Sequence, residues 1–191
     1  MEDICKACHL CLNVKNQLKG ELKGKSHILF LYGHPNVSQD KHDSIFKGRY
    51  FKRFKEALIT SKIYKFGYHT HIMKCRPSYT ESWAYERNEL RYNTCSILHF
   101  ANEFNDIKHD VKVIVPVGRF AYQFITSTSF LKQEGYELLV NVPQTVNNYI
   151  VYPIADISSL IKTIELDKVV DKLADYYGRQ FNPQILLHNG K

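Results

Sequence analysis

His27-Ile-Leu-Phe-Leu-Tyr32 is a short apolar run that stops at the turn residues Gly33-His34-Pro35-Asn36. A run this short, apolar on both alternate faces and closed by Gly and Pro, reads as a strand buried on both sides. Three further stretches share its character: Tyr68 to Met73, Val111 to Val117 closed by Gly118, and Tyr149 to Tyr152 ended by Pro153. Helical patterns lie between and after them, at 49–62, 83–105, 119–126, 156–163 and 165–178, with a loop from the first strand to Gly48. Strands that are apolar on both faces and alternate with helices predict a mostly parallel sheet covered on both sides. The expected fold is α/β, a three-layer α/β/α sandwich with a small central sheet. Residues 1–180 form one domain in this reading, and 181–191 a loose tail. Ligands in such folds bind at the carboxyl ends of the strands. That directs attention to the loops after Tyr32, Met73, Val117 and Tyr152.

The 191 residues suffice for one proper core and are short for two. No apolar run approaches a membrane span and no signal peptide opens the sequence. Five cysteines, an odd number, argue against a disulfide framework and for a reducing compartment. The expected location is therefore intracellular, in cytoplasm or nucleoid, with a virus-encoded origin also compatible.

Cys5-Lys-Ala-Cys8 has the two-residue gap with which two thiolates grip one metal centre, and Cys75 and Cys95 can complete a four-thiolate site. Four thiolates suit zinc or an iron–sulfur cluster, and spacing alone does not separate the two. Cys8-His-Leu-Cys11 repeats the gap, so Cys11 is a rival ligand. Four buried thiols without metal are the plain alternative.

The net charge of +7 favours polyanionic partners. Lys47, Arg49, Lys52, Arg53 and Lys55 cluster with Tyr50, Phe51 and Phe54 between them. Basic groups neutralise phosphates and aromatics stack on bases. A solvated basic face on an amphipathic helix gives the same pattern.

Several of these pieces, taken in order, resemble the iron–sulfur (family 4) branch of the uracil-DNA glycosylase superfamily. The resemblance runs over about residues 5–162. It rests on Cys5-x-x-Cys8-x-Leu10, Gly20-Glu21 ahead of the first strand, and Pro35 and Asp40 in the first loop. It continues with Phe46-Lys-Gly48-Arg49, Lys74-Cys75-Arg76-Pro77, and Val113-Ile-Val-Pro-Val-Gly118-Arg119-Phe-Ala121. It implies a [4Fe–4S] cluster on Cys5, Cys8, Cys75 and Cys95, and a base stacked on Phe46. A core position is the alternative for Phe46. DNA contacts are expected from Arg49, Lys52, Arg53, Arg76 and Arg119.

Three chemical positions depart from the family pattern. Gly33 stands where the family has a water-positioning Glu, His71 where an Asn reads uracil, and Tyr152 where a His faces the leaving group. Base-binding candidates are thus Phe46, His71 and Tyr152. His34, His71 and Asp40 are the candidates for proton transfer or charge stabilisation. The expected function is DNA binding in replication, repair or processing without standard uracil excision, with other DNA-processing proteins as candidate partners. An active glycosylase of altered base choice, hydrolysing an N-glycosidic bond, is one alternative. A protein-interaction subunit without DNA binding is the other.

Overall fold

Ile28–Tyr32 forms strand β2, and none of its five side chains is exposed. Ile28, Phe30 and Tyr32 enter one apolar cluster and Leu29 and Leu31 a second, one on each face of the sheet. In the computed structural model, which describes residues 14–77, 91–128 and 132–188, β2 pairs in parallel with β3 (Gly67–His71) and with β4 (Val113–Val117). Among the described residues the sheet has six strands, in the order Glu21–Leu22 (β1), β3, β2, β4, Tyr149–Val151 (β6) and Gln144–Val146 (β5). β6 (Tyr149–Val151) continues the parallel set beside β4. The edges are antiparallel: β1 (Glu21–Leu22) on β3 and β5 (Gln144–Val146) on β6. The fold is a mixed α/β sandwich around a mostly parallel sheet.

Helices fill both faces. Phe54, Ala57 and Leu58 of α2 (Arg49–Thr60) pack on the Phe30 side. Ile157 and Leu160 of α6 (Ile157–Lys162) join them, with Val169, Val170, Leu173 and Tyr177 of α7 (Leu166–Phe181). The Leu29 side is covered by Phe100 and by Ile107 of α3 (Ala101–Ile107). Ala121 and Tyr122 of α4 (Arg119–Thr126) and Tyr136 of α5 (Gln133–Glu137) complete that cover. Residues 91–95 are helical and run through a π-helical turn, Ser96–Phe100, into α3. Burying the large side chains of these two clusters, at ~1.5–3 kcal/mol each, is the main stabilising term.

The structure adds elements to the sequence reading. A six-residue helix, α1 (Val37–His42), occupies the expected loop before Gly48. Asn36 caps it: its side chain accepts from Gln39 N at 3.0 Å, and Gln39 Oε1 accepts from Asn36 N at 2.8 Å, a reciprocal capping box. The expected loose tail is also different. Pro183–His188 forms a 3-10 helix, and Ile185 is buried in the core.

The chain runs from β2 outward to β3, then back across to β4 on the other side of β2. The crossovers therefore leave on opposite faces, and a crevice opens between the ends of β2 and β4, where such sheets take ligands. Among the described residues no helix is long and apolar enough to cross a membrane.

Candidate functional site: an aromatic-walled cavity at the strand ends

Just beyond the ends of β2 and β4 lies an open cavity of about 530 Å³. Tyr32, Gly33 and His34 bring β2 to it, and Val117, Gly118, Arg119 and Phe120 bring β4 and the start of α4. The start of α2 adds Tyr50 and Phe51, and the loop after β6 adds Asp156, Ile157 and Ser158. Asn36 and Gln133 supply amides. Gly48 (φ +92°) and Gly118 (φ +85°) are the residues just before α2 and α4. Their left-handed backbone, which a side chain resists, lets each helix start abruptly at the cavity wall.

The polar groups of the wall are concrete. His34 is half-buried, with Nδ1 3.2 Å from Pro35 O. Burial pushes its pKa down, and the Pro35 carbonyl and, less strongly, the Asp156 carboxylate partly offset this. Asp156 caps α6: its Oδ1 accepts from Ser158 N at 2.9 Å and from Ser158 Oγ at 2.6 Å. Tyr136 donates to Ile154 O at 2.6 Å and so pins the strand end that presents Asp156. The Arg119 guanidinium lies over the Phe120 ring, 5.6 Å from its centroid. The apolar walls are the rings of Tyr32, Tyr50, Phe51 and Phe120. The wall thus offers the faces of aromatic rings beside a few polar edges.

Only some of the expected site residues reach the cavity. His34 and Arg119 line it. His71 does not: it is buried behind two wall residues, with ring centroids 5.2 Å from Tyr32 and 6.4 Å from Phe51. Neither of its ring nitrogens has a hydrogen-bond partner among the described residues. Burial holds its pKa well below the ordinary histidine value, reinforced by Lys74, His34 and His69. Phe46 lies in the core under β3, edge-on to His69 at 4.7 Å and to Tyr64 at 5.6 Å. That is the core alternative for Phe46, and Tyr50 and Phe51 stand at the cavity in its place. Tyr152 is buried against Tyr176 at 5.3 Å, on the α7 side of the sheet, and its pKa is pushed up to about 12 by burial.

Asp40 is also elsewhere, and it is heavily engaged. Its Oδ1 accepts from the backbone N–H groups of Lys15 (2.8 Å) and Asn16 (3.0 Å), and its Oδ2 from Arg76 Nε at 3.2 Å. Of the DNA-contact candidates, Arg76 is thereby paired, and Arg53 pairs with Asp167. Arg49 and Lys52 are exposed on α2, with no ion pair among the described residues.

Cys5, Cys8 and Cys11 lie outside the described residues. Cys75 and Cys95 are both buried and belong to one apolar cluster. The segment following the N-terminal cysteines is tied down around them. Leu18 N donates to Lys74 O at 3.0 Å, Gln17 Nε2 sits 2.9 Å from His99 Nε2, and Gly20 N donates to Glu103 Oε1 at 3.1 Å. Lys74, almost fully buried, donates to Glu103 Oε2 at 2.6 Å, and Thr70 Oγ1 donates to the same oxygen at 2.6 Å. Burial lowers the Lys74 pKa; Glu103, and to a lesser degree Cys95, push it back up. Among the described residues no group of three or more His, Cys, Asp or Glu side chains could hold a metal ion.

Sequence reasoning named Tyr50 and Phe51 as aromatics able to stack on bases but missed Asp156 and Phe120 as wall residues. A signal existed for Asp156: an Asp just before Ile157-Ser-Ser is a helix N-cap pattern, and this cap stands at a strand end. Comparison with known proteins found no matching family model and no matching curated protein.

Proposed function

We propose that this chain is a DNA-binding protein built like a uracil-DNA glycosylase, which receives a base turned out of the strand in the cavity between β2 and β4 and lacks standard uracil excision. The observation that carries this reading is the cavity itself, with the rings of Tyr50, Phe51 and Phe120 around a few polar groups at the sheet's switch point. Stacking on such walls is tolerant of base type. The exposed cations Arg49 and Lys52 flank it on α2, where phosphates neutralise positive charge. The absence of a carboxylate at Gly33 and of a histidine at Tyr152 supports the loss of uracil excision.

Four cysteines, Cys5, Cys8, Cys75 and Cys95, are proposed to hold a [4Fe–4S] cluster, with zinc the alternative on the same ligands. Bound there, the cluster supplies a cross-link between the N-terminal segment and the chain beside Arg76. Lys74, Glu103 and Asp40 keep the two segments in register around it.

A second reading, an active glycosylase of altered base choice, is favoured by one observation. His34 and Asp156 face the same cavity, so a proton-transfer group and a carboxylate stand where a base and its sugar are expected. Single-turnover assays over modified bases separate the two readings.

The test of DNA binding is its salt dependence. Affinity for single-stranded oligonucleotides should fall steeply with salt, and Arg49→Glu with Lys52→Glu should weaken binding across sequences and flatten the slope by about two phosphate contacts. Salt-independent or unmeasurable binding by the wild-type chain contradicts the proposal and leaves the interaction-subunit reading.

A further inference from the structure

The cavity wall carries a carboxylate whose two oxygens have different fates. Oδ1 of Asp156 is taken twice, by Ser158 N at 2.9 Å and by Ser158 Oγ at 2.6 Å. Those two donors use its lone pairs and fix the carboxylate plane. Oδ2 has no hydrogen-bond partner among the described residues. It lies beside Gly118, another wall residue; a side-chain carbon at 118 would stand 3.7 Å from it. The cavity therefore offers an oriented, acceptor-only oxygen near its aromatic rings.

Resting on the proposal that a base occupies this cavity, we infer that Asp156 Oδ2 selects bases with an exocyclic amine over uracil and thymine. Adenine, cytosine and guanine each present an N–H2 group that donates to a carboxylate. Uracil and thymine present carbonyl oxygens at their exocyclic positions, and their one ring N–H is flanked by two of these. A carboxylate meeting that edge gains at most one hydrogen bond and faces two like-charged lone-pair groups. The selectivity belongs to this chain's own geometry and opposes the uracil preference that the sequence resemblance implies.

Asp156 also caps α6, so a test must keep the cap. Asn caps as well as Asp. In Asp156→Asn the amide oxygen must stay on Ser158 to keep both bonds, which turns the –NH2 to the position of Oδ2. The variant replaces an acceptor by a donor with the helix start intact. Equilibrium anisotropy titrations would use single-stranded oligonucleotides identical except for one central position: A, C, G, U, T or abasic. For the wild type, A, C and G should bind about fivefold tighter than U and T, the size of one hydrogen bond at an accessible site, and all five bases should bind tighter than the abasic strand. In Asp156→Asn that order should level or reverse in favour of U and T. If U or T binds as tightly as the amine-bearing bases while all bases beat the abasic strand, the selectivity is overturned and the base-binding reading stands. An unchanged preference in a folded Asp156→Asn removes Asp156 from the role. If abasic and base-bearing strands bind alike, or no strand binds, the base-binding reading itself fails. The wild-type series decides without the variant should the variant not fold.

Discussion

The chain around Lys74–Pro77 and the cavity between β2 and β4 contrast in how their polar residues are employed. In the first region every described polar group of note is committed. Lys74 and Thr70 share Glu103, Asp40 gathers two backbone amides and Arg76, and Leu18 is hydrogen-bonded to Lys74. At the cavity, Asp156 keeps an oxygen outside any such bond, Tyr50 is exposed, and Asn36 and Gln133 sit at the surface. Of the residues that carry the resemblance, Asp40, Lys74 and Arg76 belong to the first kind, while Gly118, Arg119 and Phe120 line the cavity.

The largest effect should come from breaking the buried ion pair. Glu103→Gln leaves the Lys74 ammonium buried with no counter-charge, at a cost of about 3–5 kcal/mol, measurable by denaturant unfolding. Replacing both partners by apolar residues should recover most of that loss. Asp40→Ala strands two backbone amides and Arg76. It should cost about 3 kcal/mol, and in anaerobically purified protein it should lower iron content alongside Cys75→Ala.

A sharper effect concerns pH. His69 and His71 are buried, and burial holds both pKa values well below the ordinary 6.5. The unfolded chain takes up their protons near pH ~6.5 and the folded chain does not. Stability is thus full above that pH and falls as pH drops below it, by up to ~1.4 kcal/mol per pH unit for each histidine. His71→Phe should flatten this slope, and unfolding midpoints from pH 7 down to pH 5 check it. A flat profile in the wild type would mean that these rings gain a partner or a proton that the fold does not display.

The sheet was legible because β2 and β4 are apolar on both faces, a pattern only a doubly covered strand requires. β1 and β5 were not, since two or three residues carry no periodicity. α1 hid behind His34-Pro35-Asn36, although Asn36 and Gln39 spell a capping box. The site was harder to read for a directional reason. An aromatic residue at a strand end faces whichever layer the pleat assigns, and this sends Tyr152 to the α7 side. Phe46, in the turn before α2, folds beneath β3 rather than toward the cavity. Composition supplies the aromatics; only the fold decides which of them meet at the crevice.

The mildest substitution in stability is Tyr50→Ala, at an exposed ring that should cost less than about 1 kcal/mol. It gives the most direct test when set beside Glu103→Gln. For both variants and the wild type, the measurement is the affinity gap between an oligonucleotide carrying one adenine and the same strand abasic at that position, at a temperature where all three are folded. Tyr50→Ala should remove the stacking part of that gap, about five- to a hundredfold, the worth of one stacked base, while Glu103→Gln should leave the gap unchanged. A gap that survives Tyr50→Ala, or that collapses in folded Glu103→Gln, would contradict the division between scaffold and cavity.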